Sequence, residues 1–169
     1  MTINYRDANP ADIAEIDRVF RTSFCATFAH LYSDDDLQAF LGKFTAQAWA
    51  EEMADPRYAF RLAEEDDAAV GYVKLGPLTL PVEGGESTCE LRQLYVLDKW
   101  HGGGIANALM NWALADAARR AIRTLYLTVY TDNHRARRFY ERYGFVAVGR
   151  YDFMVGSHAD EDIIMKLAL

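Results

Sequence analysis

The stretch LYVLDKWHGGGIANALM, residues 94–110, decides how this chain is read. It opens as the end of an apolar strand, TCELRQLYVL, passes through Gly102, Gly103 and Gly104, and continues at once as an apolar helical pattern. Glycine loses the most conformational freedom on ordering, so it is kept where the backbone itself must come close to something. A strand, a turn and a helix N-terminus with free N–H groups favour an anion there, a pyrophosphate being the usual one. Two familiar phosphate loops fail. No Lys-Ser or Lys-Thr follows the glycines, and Asn107 stands where a dinucleotide fingerprint needs its third glycine. A ligand-free tight turn is the alternative, but three consecutive glycines exceed what a turn requires.

Working outward, Ile105, Leu109 and Trp112 share one face of the helix after the loop, with Ala108 and Ala115 beside them, and the helix ends near Arg119-Arg120. TLYLTVYT (124–131) is apolar or β-branched on both parities, as expected of a central strand. NHRARRFYERYG (133–144) reads as a helix capped by Asp132 or Asn133 and closed by Gly144. FVAVGRYDFMVG (145–156) and DIIMKLAL (162–169) follow as strands. Upstream, Met1–Ala8 is a short strand broken at Asn9-Pro10, and Ile13, Ile16, Phe20 and Phe24 recur at helical spacing. Short helices start after Ser33 and Thr45, the second ending before Pro56. YAFRLAEE and AAVGYVKLGPL flank an acidic turn at Glu64–Asp67. This intermixed order predicts one α/β (α+β) three-layer domain over residues 1–169.

The net charge of −7 argues against nucleic acid as a partner. Residues 1–90 carry a net −10 and residues 91–169 a net +3, which suits two ligands of opposite sign or two solvated faces. Cys25 and Cys89 are isolated, with no CxxC and no metal-like spacing to histidine, as expected of a reducing cytoplasm and no metal site. MTINYRDANP lacks the basic and apolar regions of a signal peptide, and no apolar run approaches the ~18 residues of a membrane span.

The strand–glycine–helix segment resembles the acetyl-CoA site of the GNAT superfamily of N-acetyltransferases, whose pattern is Gln/Arg-x-x-Gly-x-Gly/Ala. Gly104 and Ala106 take its last two defined positions, and His101 takes the first, a departure from the family. The family's second segment is matched at Asn133, Ala136, Phe139, Tyr140, Gly144 and Phe145. FCATFAHLYSDDDLQAFLGKFT, AVGYVKL, ELRQLYV and the chain's ending are similar to the bacterial spermidine/spermine-acetylating branch.

The resemblance implies a mixed, mostly antiparallel sheet of six to seven strands with helices on both faces, acetyl-CoA as co-substrate, and a small-molecule amine as acceptor, a polyamine first. It leaves a homodimer open. It implies that the backbone of Gly102, Gly103, Gly104, Ile105, Ala106 and Asn107 holds the pyrophosphate, and that main-chain groups of Leu94, Tyr95 and Val96 pair with the pantetheine arm. His101, Arg135 and Arg138 then lie near the phosphates, and Asn133 and Ala136 beside the arm, although Asn133 equally suits a helix cap. Tyr140 is the implied general acid; a helical aromatic otherwise belongs to the core. Glu90, the one carboxylate on the strand before the loop, is a candidate proton acceptor or a solvated strand-end acid. Asp34, Asp35 and Asp36 attract a polycationic acceptor or simply begin a helix. Other amines, a protein N-terminus among them, and a non-catalytic acyl-CoA-binding regulator are the competing readings.

Overall fold

The computed structural model describes residues 2–169. In chain order the elements are β1 (Asn4–Asp7), α1 (Ile13–Phe28), α2 (Asp34–Leu41), α3 (Ala46–Ala54), β2 (Ala59–Glu65), β3 (Ala68–Gly76), β4 (Thr88–Val96), α4 (Ile105–Arg119), β5 (Thr124–Tyr130), α5 (His134–Arg142), β6 (Val146–Val155) and β7 (His158–Ala168). Short polar caps set several starts. Ser33 Oγ accepts from Asp36 N at α2, Thr45 Oγ1 from Ala48 N at α3, and Asn133 Oδ1 from Ala136 N at α5. Asn9 closes a capping box with Asp12 over a single 3-10 turn, so α1 begins at Ile13 rather than at Ala11.

The strands form one sheet in the order β1-β2-β3-β4-β5-β7-β6, antiparallel except for the β4–β5 pair. Helices α4 and α5 cover one face, where Ile105, Leu109, Met110, Ala113, Tyr140 and Phe145 pack on Val73, Leu75, Leu125, Leu127 and Met165. Helices α1, α2 and α3 cover the other, where Phe20, Phe24, Phe40 and Trp49 pack on Phe60, Leu62, Tyr72 and Val155. The mixed, mostly antiparallel seven-stranded sheet between two helical layers is the expected fold.

Three local expectations change. The buried positions of α4 are Ile105, Leu109, Met110, Ala113, Asp116 and Ala117, while Trp112 is half-buried and Ala115 exposed, because at about 3.6 residues per turn Ala115 falls on the side opposite that stripe. The first strand starts at Asn4, and Met1 lies outside the described residues. β7 starts at His158, four residues earlier than DIIMKLAL, because Gly156 at φ +58° turns β6 into a hairpin whose polar start still pairs. β7 sits between β5 and β6, inside the sheet.

One irregularity positions everything that follows. β4 and β5 pair only at Thr88–Thr124, Cys89–Leu125 and Glu90–Tyr126, then part, although β4 runs on to Val96 and β5 to Tyr130. At that same point β4 carries a bulge at Arg92, the residue skipped between the Lys74–Gln93 and Leu75–Leu91 pairs. A bulge bends its strand and strengthens its twist, which opens the gap.

Candidate active site

The open side of β4 leaves a row of main-chain polar groups in need of partners. Leu97 N donates to Val70 O at 2.9 Å, which makes Leu97–Val70 a hydrogen-bonded pair. Pairs alternate along an antiparallel ladder, so Tyr95 bonds to β3 while Leu94 and Val96 turn their N–H and C=O into the cleft. His101 closes back on this edge, its Nε2 2.6 Å from Val96 O and its Nδ1 2.8 Å from Arg135 Nη1.

At the cleft mouth Gly102 and Gly104 have φ of +79° and +80°, a backbone that side-chain-bearing residues rarely adopt, and nothing lies within 4 Å of a Cβ built on either. The glycines are therefore demanded by backbone shape, and the space beside them stays open. Gly104 is the N-cap of α4 and brings no side chain to the helix, so the first-turn N–H groups lack a side-chain acceptor. Open space against free N–H donors, flanked by Arg135 and Arg138, is the chemistry of a phosphate cradle.

The cleft widens into a cavity of ≈990 Å³ that runs through the sheet's gap to the α1–α2 face. Every residue expected at the cofactor or in the proton transfers lines it except Gly103, whose N–H turns inward toward Trp100 O. Lys99 stacks over Trp100, and Arg137 donates to Thr131 O, so neither joins Arg135 and Arg138 on the wall. Asp34 and Asp35 are exposed and Asp36 is half-buried; none of the three lines the cavity.

Tyr140 sits on the wall of α5, 9% exposed, with its ring against Phe145. Burial alone raises its phenol above the ordinary value, so it stays protonated across neutral pH. Glu90 is buried on β4, where its Oε2 accepts from Thr79 N at 2.9 Å and Thr79 Oγ1 at 3.0 Å, and Arg92 Nε lies 3.6 Å from Oε1.

The inner chamber was not foreseen. Its walls are Phe20, Phe24, Phe28, Tyr32, Phe40 and Phe44 from the α1–α2 region, with Tyr95, Tyr130, Tyr151 and Phe153 from the sheet. Asp160 and Asp162 on β7 are 4% and 6% exposed and face it. Tyr32 donates its hydroxyl to Asp160, and His158 Nε2 lies 3.2 Å from Asp160 Oδ1. Burial, opposed by a hydrogen bond from Thr128 and aided by Asp160, pushes Asp162 up to about 7. The period-2 spacing of Asp160, Asp162 and Ile164 was the available sequence signal; the strand was expected from Asp162 onward, which left Asp160 outside it.

Among the described residues no group of three or more His, Cys, Asp or Glu is placed to hold a metal ion, and no helix is long and apolar enough to cross a membrane.

A fold with a parted parallel strand pair and an open glycine cradle defines a class, and comparison with known proteins names it. Residues 16–145 match the model of the acetyltransferase (GNAT) family. The chain belongs to that family and is a GNAT-type N-acetyltransferase. It is 38% identical over 117 residues to an uncharacterised N-acetyltransferase of Mycobacterium tuberculosis, covering 69% of this chain and 71% of that one. A second uncharacterised N-acetyltransferase, from Lactobacillus delbrueckii, is 25% identical over 160 residues, 94% and 92% of the two chains. The structure of the PaiA N-acetyltransferase of Thermoplasma acidophilum in complex with coenzyme A superposes over 100% of both chains, with a TM-score of 0.81 at 21% identity, a likeness of fold.

Proposed function

We propose that this acetyltransferase moves the acetyl group of acetyl-CoA to a primary amine of a small cationic molecule, a polyamine such as spermidine first. The observation that carries the acceptor is the inner chamber, where aromatic faces surround the buried carboxylates of Glu90, Asp160 and Asp162. Aromatic faces and carboxylates both attract ammonium groups, and both gain strength where water is excluded.

The cofactor side follows from the cleft. Gly102, Gly104 and the first turn of α4 cradle the pyrophosphate, with Arg135 and Arg138 beside it. Leu94 and Val96 offer main-chain groups to the pantetheine arm as a neighbouring strand would. Asn133 caps α5 and holds that helix against the arm. Acetyl-CoA supplies the thioester, and the chain's part is to place it, shed the amine's proton and protonate the departing sulfur. Tyr140 is the proton donor. Its phenol is held protonated by burial, so it carries a proton to give across neutral pH. An ordinary amine, near pKa 10.4, arrives as ammonium and must lose a proton before it attacks.

Thiol release from acetyl-CoA with amines from spermidine to amino acids and peptides tests this reading. Turnover of spermidine that falls as salt rises is the expected result. Turnover of a different amine discards the polyamine and keeps the chemistry. Saturable acetyl-CoA binding with no thiol release from any amine moves the regulator reading ahead.

A further inference from the structure

The inner chamber holds three buried carboxylates, and two of them are already engaged. Glu90 accepts from the Thr79 amide and hydroxyl and lies beside Arg92. Asp160 accepts from the Tyr32 hydroxyl and pairs with His158. Asp162 has only the Thr128 hydroxyl, and among the described residues no lysine, arginine or histidine pairs with it. β5 and β7 set it opposite Tyr130 in register. The other groups near it are Tyr32 from the turn before α2, Tyr95 from β4 and Asp160 from β7 itself, so phenols and a second acid surround it and no cation does. Tyr95 is near enough to Asp162 and Tyr140 for ionisation of either to raise its own phenol, which places the carboxylate and the proton donor around one residue. Ser23, 5% exposed, also lines the chamber, and its hydroxyl has no hydrogen-bond partner among the described residues. A buried carboxylate without a cation and a buried hydroxyl without a partner leave a polar chamber incomplete.

We propose that Asp162, rather than Glu90, receives the ammonium of the acceptor and takes its proton before acetyl transfer. This rests on the acetyltransferase reading above. The ammonium supplies the missing cation, and one of its protons passes to an Asp162 oxygen. The freed lone pair forms the C–N bond to the acetyl carbon as the C–S bond breaks. The nitrogen sheds a second proton, the sulfur gains one from Tyr140, and that second proton restores the phenol. Asp162 returns its own proton to solvent, so the balance is ammonium plus thioester to amide, thiol and one proton. Burial and Asp160 raise Asp162 to about 7, which suits a group that must both accept and release a proton near neutrality.

The test compares wild type, Asp162→Asn and Glu90→Gln, with coenzyme A bound, by two readouts. In the first, kcat/KM for spermidine in the thiol-release assay rises with pH through about 7 in wild type. Asp162→Asn loses that limb and falls by about 100-fold or more, recovering as the solution deprotonates the amine; Glu90→Gln keeps the limb whatever its rate. In the second, the carboxyl ¹³C signal present in wild type and missing from Asp162→Asn titrates near neutrality and shifts when spermidine is added. A limb that survives in Asp162→Asn overturns the assignment while leaving the acetyltransferase reading intact. A signal that stays ionised down to pH 5 and ignores spermidine also overturns it. A spermidine-responsive Asp162 in a protein that releases no thiol supports the binding site and counts against spermidine acetylation.

Discussion

Asp36 reaches from the first turn of α2 to the turn between β6 and β7, where its Oδ1 accepts from Ser157 N at 2.6 Å and Ser157 Oγ at 2.9 Å. The same carboxylate lies 3.0 Å from Ser33 Oγ at the helix cap. The contact ties one wall of the inner chamber, α2, to the hairpin that carries Asp160 and Asp162. The acidic run Asp34–Asp36 thus contributes a tether, and its other two members face solvent.

The tether predicts that Asp36→Ala lowers Tm, and that Asp35→Ala, one residue away and exposed, does not. The hydrogen bonds from Ser157 hold the Asp36 carboxyl below its ordinary value. A depressed acid contributes stability above its unfolded value of 3.8, and the contribution is lost as pH falls through the lower folded value. The Tm gap between Asp36→Ala and wild type therefore closes only in strong acid. Thermal melts at neutral and acid pH read both effects.

Tyr140→Phe removes one oxygen and keeps the ring packed on Phe145. The variant is expected to bind coenzyme A with unchanged affinity in calorimetry and to lose roughly 10²- to 10⁴-fold in turnover, the range of a positioned proton donor. Unchanged turnover removes Tyr140 from the chemistry and returns it to the core.

Gly104 separates strain from charge. Gly104→Ala meets no neighbour within 4 Å but must hold φ near +80°, costing about 1–2 kcal/mol of stability with the cradle still open. Gly104→Glu adds a carboxylate where the phosphates would lie. Calorimetric titration with coenzyme A should show a modest loss for the first and no measurable binding for the second. Equal affinity in the two variants sinks the cradle assignment.

The glycine cleft was legible in the sequence because its signals are local. Gly102 and Gly104 announce a backbone that no other residue adopts comfortably, and Asn133 to Phe145 is a compact motif on one helix and its exit. The inner chamber is made by parts far apart in sequence. Asp162 is buried only because β7 slots between β5 and β6 and the α1–α2 aromatics close over it, and no short window contains that fact. Asp162 was expected as the first residue of a strand, and nothing in DIIMKLAL marks that residue as buried. Glu90 drew notice as the lone acid on β4, but the loop at Thr79 that engages it lies across a gap that spacing cannot measure.

Lys74 shows the same non-local logic in the core. It is 2% exposed, with Nζ 2.7 Å from Glu52 Oε2 and 4.8 Å from the Trp49 ring centre. Burial lowers it to about 8, against the pull of Glu52. Glu52→Gln leaves a buried cation without its counter-charge and should cost about 3 kcal/mol by urea denaturation. Lys74→Met together with Glu52→Gln should recover most of that loss, since the site is otherwise aromatic.

The last prediction concerns Asp162 without reference to turnover. Its folded value near 7 stands above the ordinary 3.8, so the folded chain binds this proton more tightly than the unfolded chain. Folding therefore takes up a proton between about pH 4 and 7; this contribution to stability is fully present below that window and lost as pH rises through it. Above 7 the fold carries a buried carboxylate with no cation beside it. Asp162→Asn cannot ionise and keeps nearly the same shape. Its stability relative to wild type should improve by roughly 2–3 kcal/mol between pH 5 and pH 8, seen as a Tm difference that grows with pH. Adding spermidine at pH 8 should then stabilise wild type more than Asp162→Asn, because only wild type has a charge for the ammonium to neutralise. A Tm difference that does not change with pH means that Asp162 is ionised throughout, and that the chamber supplies its carboxylate with more than the Thr128 hydroxyl.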